Sequence, residues 1–226
     1  MKVALLLTGL PRKVQEGYDN CWKHIIENYD TDVYLHFWED DDYEKVLEVY
    51  NPKKYICQKP FKFTNYKIGI NSYSADGITP DDMSRPIPEY DVAGNFRGFP
   101  MFYSWQVGYN LIDGDYECII RSRYDLGTPT PYTLENLDLT KLNISAMHWP
   151  GSPITDDNLC ITSQPVADRL FSNIFDEFIY NAKKTGKITF QEKNFMEILN
   201  RKDLYKYVCK TNELPFQLLR ENKLWF

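Results

Sequence analysis

The chain of 226 residues carries 43% apolar and 26% charged side chains and a net charge of −6, the composition of a soluble globular protein long enough to bury a core in one α/β domain. No basic run accompanies that negative charge, which argues against a nucleic-acid backbone as partner, because such binding needs clustered Lys and Arg; no stretch approaches the ~20 apolar residues of a membrane span either. The five cysteines (Cys21, Cys57, Cys118, Cys160, Cys209) are widely spaced with no C-x-x-C pair, which fits reduced thiols in the cytoplasm rather than a disulfide frame or a zinc site.

The opening run "MKVALLLTGLPR" is too short in its apolar part for a signal peptide and reads as a buried strand, Val3 to Thr8, ended by Gly9 and Pro11. Val14 to Tyr29 has helical spacing (Tyr18, Cys21, Trp22, Ile25, Ile26), and "DVYLHFW" (Asp32 to Trp38) is a second buried strand. Strand, helix, strand at this spacing is a βαβ start and predicts a parallel sheet. "EDDDYEKVLEVY" (Glu39 to Tyr50) follows as loop and helix, then a short strand from Lys54 to Pro60. Phe61 to Arg97, with Pro80, Pro86 and Pro88, reads as a long irregular insertion.

Gly98 to Ile112 is predicted helical, followed by a strand over Glu117 to Arg123. Two more strands are expected at Ile144 to Pro150 and Asn158 to Ser163, and an amphipathic helix at Gln164 to Lys184. A short helix at Gln191 to Arg201, a strand at Tyr205 to Lys210 and a weak helix or tail in "FQLLREN" complete the chain. The aromatic content of 15% suits either an aromatic core or a surface that stacks on sugars or bases.

One strand is unusual. "CIIRSRYDLGTP" (Cys118 to Pro129) places Arg121, Arg123 and Asp125 on one parity, hence on one face or its continuation past the strand end. Buried guanidinium groups need anions, either protein carboxylates in an internal Arg–Asp network or the phosphates of a ligand. Ligands of open α/β sheets bind outside the carboxyl ends of strands, Arg forks suit phosphate oxygens, and an Asp at a strand end suits a hard cation. Two literal D-x-D triplets, Asp113 to Asp115 and Asp40 to Asp42, are poor metal candidates: the first precedes its strand and the second opens a helix.

Several stretches together resemble the GT-A-type glycosyltransferases of large algal viruses and of bacterial capsule and lipopolysaccharide clusters. These are "LLLTGLPR", "DVYLHFWED", "NPKKYICQKPFKF", "MFYSWQVGYNLI" before "YECIIRSRYDL", and "DDNLCITS", in family order from residue 5 to about residue 163. The resemblance implies a single GT-A-like (Rossmann-like) α/β domain over residues 1–226, with a mostly parallel central sheet flanked by helices and a mixed C-terminal half. Residues 1–125 would bind the nucleotide sugar and residues 126–226 would face the acceptor.

It further implies that Thr8, Gly9, Leu10, Pro11 and Arg12 lie against the nucleotide, with Arg12 at a phosphate. The family's metal-binding D-x-D falls at Arg123 to Asp125, where only Asp125 is acidic, so that dependence on Mn²⁺ or Mg²⁺ is open. His148, beside Trp149 and Pro150, is the candidate second ligand; His36 reads as a core histidine. Asp156 and Asp157 are candidates for the base that takes the acceptor proton, or for a turn with solvated acids. Trp149 suits a sugar face or the core equally.

The expected activity is transfer of a sugar from a nucleotide-diphosphate sugar, UDP favoured, to a hydroxyl of a glycan or glycoprotein acceptor, with a divalent ion, Mn²⁺ or Mg²⁺, bridging Asp125 and the diphosphate as a Lewis acid, in the cytoplasm (the host's, if the chain is viral). Arg121 and Arg123 would share charge stabilisation on the diphosphate or orient Asp125. The alternatives are a non-catalytic nucleotide-sugar or glycan-binding module and a nucleotidyltransferase.

Overall fold

The computed structural model describes residues 1–39, 43–60, 98–145, 157–185 and 191–219, together with the backbone of Ser72–Tyr73 and Lys187–Ile188. The first strand, β1 (Lys2–Gly9), is buried along its centre. It leads through α1 (Val14–Gly17), a π-helical turn (Tyr18–Trp22) and α2 (Lys23–Asn28) to β2 (Asp30–Trp38), then through α3 (Tyr43–Tyr50) to β3 (Lys54–Gln58). After β4 (Ser72–Tyr73), helix α4 (Gly98–Tyr109) precedes β5 (Cys118–Ser122) and β6 (Leu126–Gly127). Then come β7 (Leu142–Ser145), β8 (Cys160–Thr162), α5 (Gln164–Phe171), α6 (Ile174–Thr185), β9 (Lys187–Ile188), α7 (Gln191–Arg201), β10 (Val208–Thr211) and β11 (Gln217–Leu218).

Seven strands form one sheet in the order β10-β7-β8-β5-β1-β2-β3. β1 runs parallel to β2 and β5, and β2 to β3, as the βαβ start predicts. β8 is antiparallel to both β5 and β7, and β10 returns parallel to β7, so the C-terminal half is mixed as expected. Continuous apolar strands follow from burial on both faces. Val3, Leu5 and Leu7 pack with Trp22, Ile25, Val46 and Tyr124. Ala4, Leu6 and Ile119 face the other way, against Phe102, Trp105, Phe171, Phe178 and Phe195.

Four local readings change. The helix over Val14 to Tyr29 contains the π turn, and the one over Gln164 to Lys184 is two helices, α5 and α6, broken at Ser172 and Asn173. Tyr205 to Tyr207 is a 3₁₀ turn leading into β10. "FQLLREN" holds a strand: β11 pairs antiparallel with β6, Leu218 beside Leu126. A distant partner here overrides a weak local preference. The insertion from Phe61 to Arg97 and the acids Asp40 to Asp42 lie outside the described residues, except that β4 pairs in parallel with β9.

Candidate functional site

Strand order reverses between β1 and β5: the chain runs outward through β2 and β3, then returns to the other side of β1. A crevice outside the carboxyl ends of the strands at such a switch point is where open α/β sheets bind ligands. Leu6 lies beside Arg121 and Leu7 beside Ser122 in parallel register, so the loop from Gly9 to Arg12 and the turn from Arg123 to Asp125 leave the sheet side by side.

Gly9 has φ +106, and no atom of the described residues lies within 4 Å of where a Cβ would stand. The glycine is required by backbone conformation, and none of the described residues fills the space over it. Leu10 is 43% exposed. The Arg12 side chain is exposed and its backbone N–H bonds back to Leu10 O at 2.8 Å. Thr8 is buried against α4, with Oγ1 lacking a partner among the described residues.

The charged strand divides its work. Arg121 is 2% exposed. Its guanidinium carbon lies 3.4 Å from the centre of the Trp105 ring on α4, and Nη1 donates to the backbone oxygen of Asp157. Desolvation strengthens a cation–π contact of this kind. Arg123, past the strand end, grips Asp125 with both forks, Nε to Oδ1 at 2.7 Å and Nη2 to Oδ2 at 2.8 Å. Its Nη1 donates to Asn158 Oδ1 at 3.2 Å, and Ser122 Oγ donates to Asn158 O at 3.2 Å. Three successive side chains of this strand and its exit thus hold Asp157 and Asn158.

The turn itself is fixed from behind. Tyr124 Oη donates to Leu7 O at 3.2 Å, and Leu219 N–H donates to Asp125 O at 2.9 Å. Gly17 is packed against the Tyr124 carbonyl so closely that a Cβ there would stand 1.8 Å from its oxygen.

The register thus sets the loop of Thr8, Gly9, Leu10 and Arg12 at the same sheet edge as Arg123 and Asp125, and Asp157 is held nearby through its carbonyl and its neighbour Asn158. Arg121 is turned into the α4 layer instead. His148 and Asp156, with Trp149, lie outside the described residues. Sequence reasoning missed Asn158, Trp105, Gly17 and the segment at Leu219; each acts through a partner distant in sequence, which no local pattern announces.

Asp125 was the expected ligand for Mn²⁺ or Mg²⁺. A hard divalent cation needs several free oxygens, and both oxygens of this carboxylate are in the Arg123 fork. Among the described residues no group of three or more His, Cys, Asp or Glu stands close enough to hold a metal ion. Among the described residues the arrangement does not fit the metal.

The triplet Asp113 to Asp115 sits at the opposite, amino end of β5. Asp113 bonds Lys54 Nζ at 2.8 Å and Tyr34 Oη at 2.9 Å, and the Lys54 ammonium foremost holds its carboxyl below the usual range. Burial pushes the Cys118 thiol up to about 12, so it is inert at neutral pH.

His36, beside Thr8 in register, is fully buried, with Nε2 2.7 Å from Gln58 Oε1. Burial lowers its pKa. A histidine depressed in the folded state contributes stability that is present above the ordinary imidazole value of ~6.5 and is lost as pH falls towards the folded value. The urea midpoint is expected to fall between about pH 7.5 and about pH 5.5, and to fall less in His36→Gln; equal slopes in the two proteins would remove His36 as the cause.

No family model and no curated protein matches the chain. Among solved structures, it is similar to the glycosyltransferase GlyE of Streptococcus pneumoniae TIGR4 at 12% identity and TM-score 0.46, over 94% of this chain and 45% of that one. The apo form of GlyE gives 12% and 0.47, over 92% of this chain and 44% of that one. Mouse xyloside xylosyltransferase 1, apo form, gives 11% and 0.43, over 93% and 85% respectively. The chain thus spans less than half the length of the bacterial enzyme. Likeness at this level sets no donor, acceptor or chemistry for it.

Proposed function

We propose that the chain transfers a sugar from a nucleotide-diphosphate sugar, with UDP the favoured carrier, to a hydroxyl of a glycan. The observation that carries this reading is the meeting, at the switch point of the sheet, of an open glycine loop with a cationic turn that also anchors a carboxylate segment. The loop of Thr8, Gly9, Leu10 and Arg12 takes the nucleotide, the exposed Leu10 giving apolar cover and Arg12 a phosphate contact. Arg123 faces the diphosphate. Arg121 positions Asp157 by gripping its carbonyl.

The acceptor oxygen attacks the sugar's C1. The bond from C1 to the diphosphate oxygen breaks, with its electron pair leaving on the diphosphate. The acceptor proton passes to a carboxylate, Asp157 or its neighbour Asp156.

Incubation with UDP-, GDP- and dTDP-sugars and a glycan acceptor is expected to release the nucleoside diphosphate. Asp157→Asn should lower kcat by about 100-fold or more, with donor affinity kept. Release of pyrophosphate instead identifies nucleotidyl transfer. Binding with no turnover identifies the non-catalytic module, a reading favoured by the arginine at the first acid position.

A further inference from the structure

We propose that Arg123, oriented by Asp125, is itself the cation this site offers to a nucleotide diphosphate, so that binding of the diphosphate needs no divalent metal. The proposal rests on the sugar-transfer reading and says how the charge of the leaving group is met. A guanidinium has five N–H donors. Arg123 spends three of them, two on Asp125 and one on Asn158. Two remain, one on each terminal nitrogen, and the side chain is 26% exposed while that of Asp125 is 2% exposed. The pair is thus buried on its carboxylate side and open on its cationic side.

Its position fits the role. Arg123 leaves β5 beside the end of β1, next to a glycine loop that none of the described residues covers at Gly9. The fork geometry of arginine matches phosphate oxygens as well as carboxylates. Donors already fixed in place stabilise developing charge without reorganising at the moment of reaction. Using Asp125 for a metal would require the opposite: Arg123 must let go of a buried carboxylate, and a guanidinium and a divalent ion would then crowd one small space. The turn is also held by Gly17, Leu7 and Leu219, so the orientation of Asp125, and through it of Arg123, is built into the backbone.

The test is calorimetric titration of the full chain with UDP, GDP and UMP, in EDTA and in Mn²⁺. The proposal expects diphosphate affinity to agree within about twofold between the two buffers. Removing the pair together, Arg123→Gln with Asp125→Asn, strands neither charge in the interior and should weaken UDP by about tenfold or more. UMP should be nearly unmoved, so that the preference for UDP over UMP collapses; general loss of structure would weaken both alike. Arg123→Lys should recover part of the preference. A requirement for Mn²⁺ that Asp125→Asn abolishes and Arg123→Lys leaves intact overturns the proposal while the sugar-transfer reading stands. Failure of UDP and GDP to bind in either buffer overturns both.

Discussion

Gly17→Ala is expected to cost about 3 kcal/mol of stability, read as a lowered urea midpoint. Local preference argues for the opposite sign, because alanine in a helix is favoured over glycine by about 1 kcal/mol. Packing decides it: the added methyl would stand 1.8 Å from the Tyr124 oxygen and 3.0 Å from its carbonyl carbon. These are backbone atoms, which cannot rotate aside. Either the first helix or the turn carrying Asp125 must retreat, and the turn is held on its other side by Leu7 and Leu219. Diphosphate affinity should therefore fall with stability. An unchanged or raised midpoint would show that the helix yields freely and that the turn is not clamped.

Arg121→Ala is expected to lose about 3 kcal/mol or more. The substitution removes a side chain that is 2% exposed, empties the space over Trp105 and frees the carbonyl of Asp157. Arg121→Lys should recover little, since an ammonium cannot lie flat on the indole while bonding that carbonyl. The alanine variant should also slow turnover, because Asp157 loses its anchor. Urea unfolding and the donor assay report the two losses separately; a lysine variant with wild-type stability would mean that charge alone is what the position needs.

The framework of the fold was legible in β1, β2 and β5 because strands buried on both faces must be continuously apolar, and a βαβ start constrains strand direction. The parity of Arg121, Arg123 and Asp125 was legible too. What parity leaves open is whether an arginine past the strand end meets a carboxylate or a ligand, and the structure answers with the fork to Asp125. The third partner, Asn158, comes from the segment before β8, whose antiparallel pairing with β5 no local pattern encodes. The π turn at Tyr18–Trp22 was equally hidden, since the helical spacing of its apolar residues continues through it. In "FQLLREN" local preference pointed to helix, while the ladder with β6 made two of its residues a strand. His148 and Asp156 lie outside the described residues, so the base assignment stays with the proposed function, while the metal assignment gives way there to Arg123.

The ladder between β6 and β11 makes the turn at Asp125 depend on a segment distant in the chain. The Leu219 N–H that bonds the carbonyl of Asp125 comes from a segment far along the chain from β1 and β5. The pairing of β1 with β5 does not need that bond, and such non-local closures are slow to form. On the proposed function, refolding from urea should restore the sheet before it restores the grip on a nucleoside diphosphate, and a faster recovery of UDP binding than of the sheet signal would overturn that order.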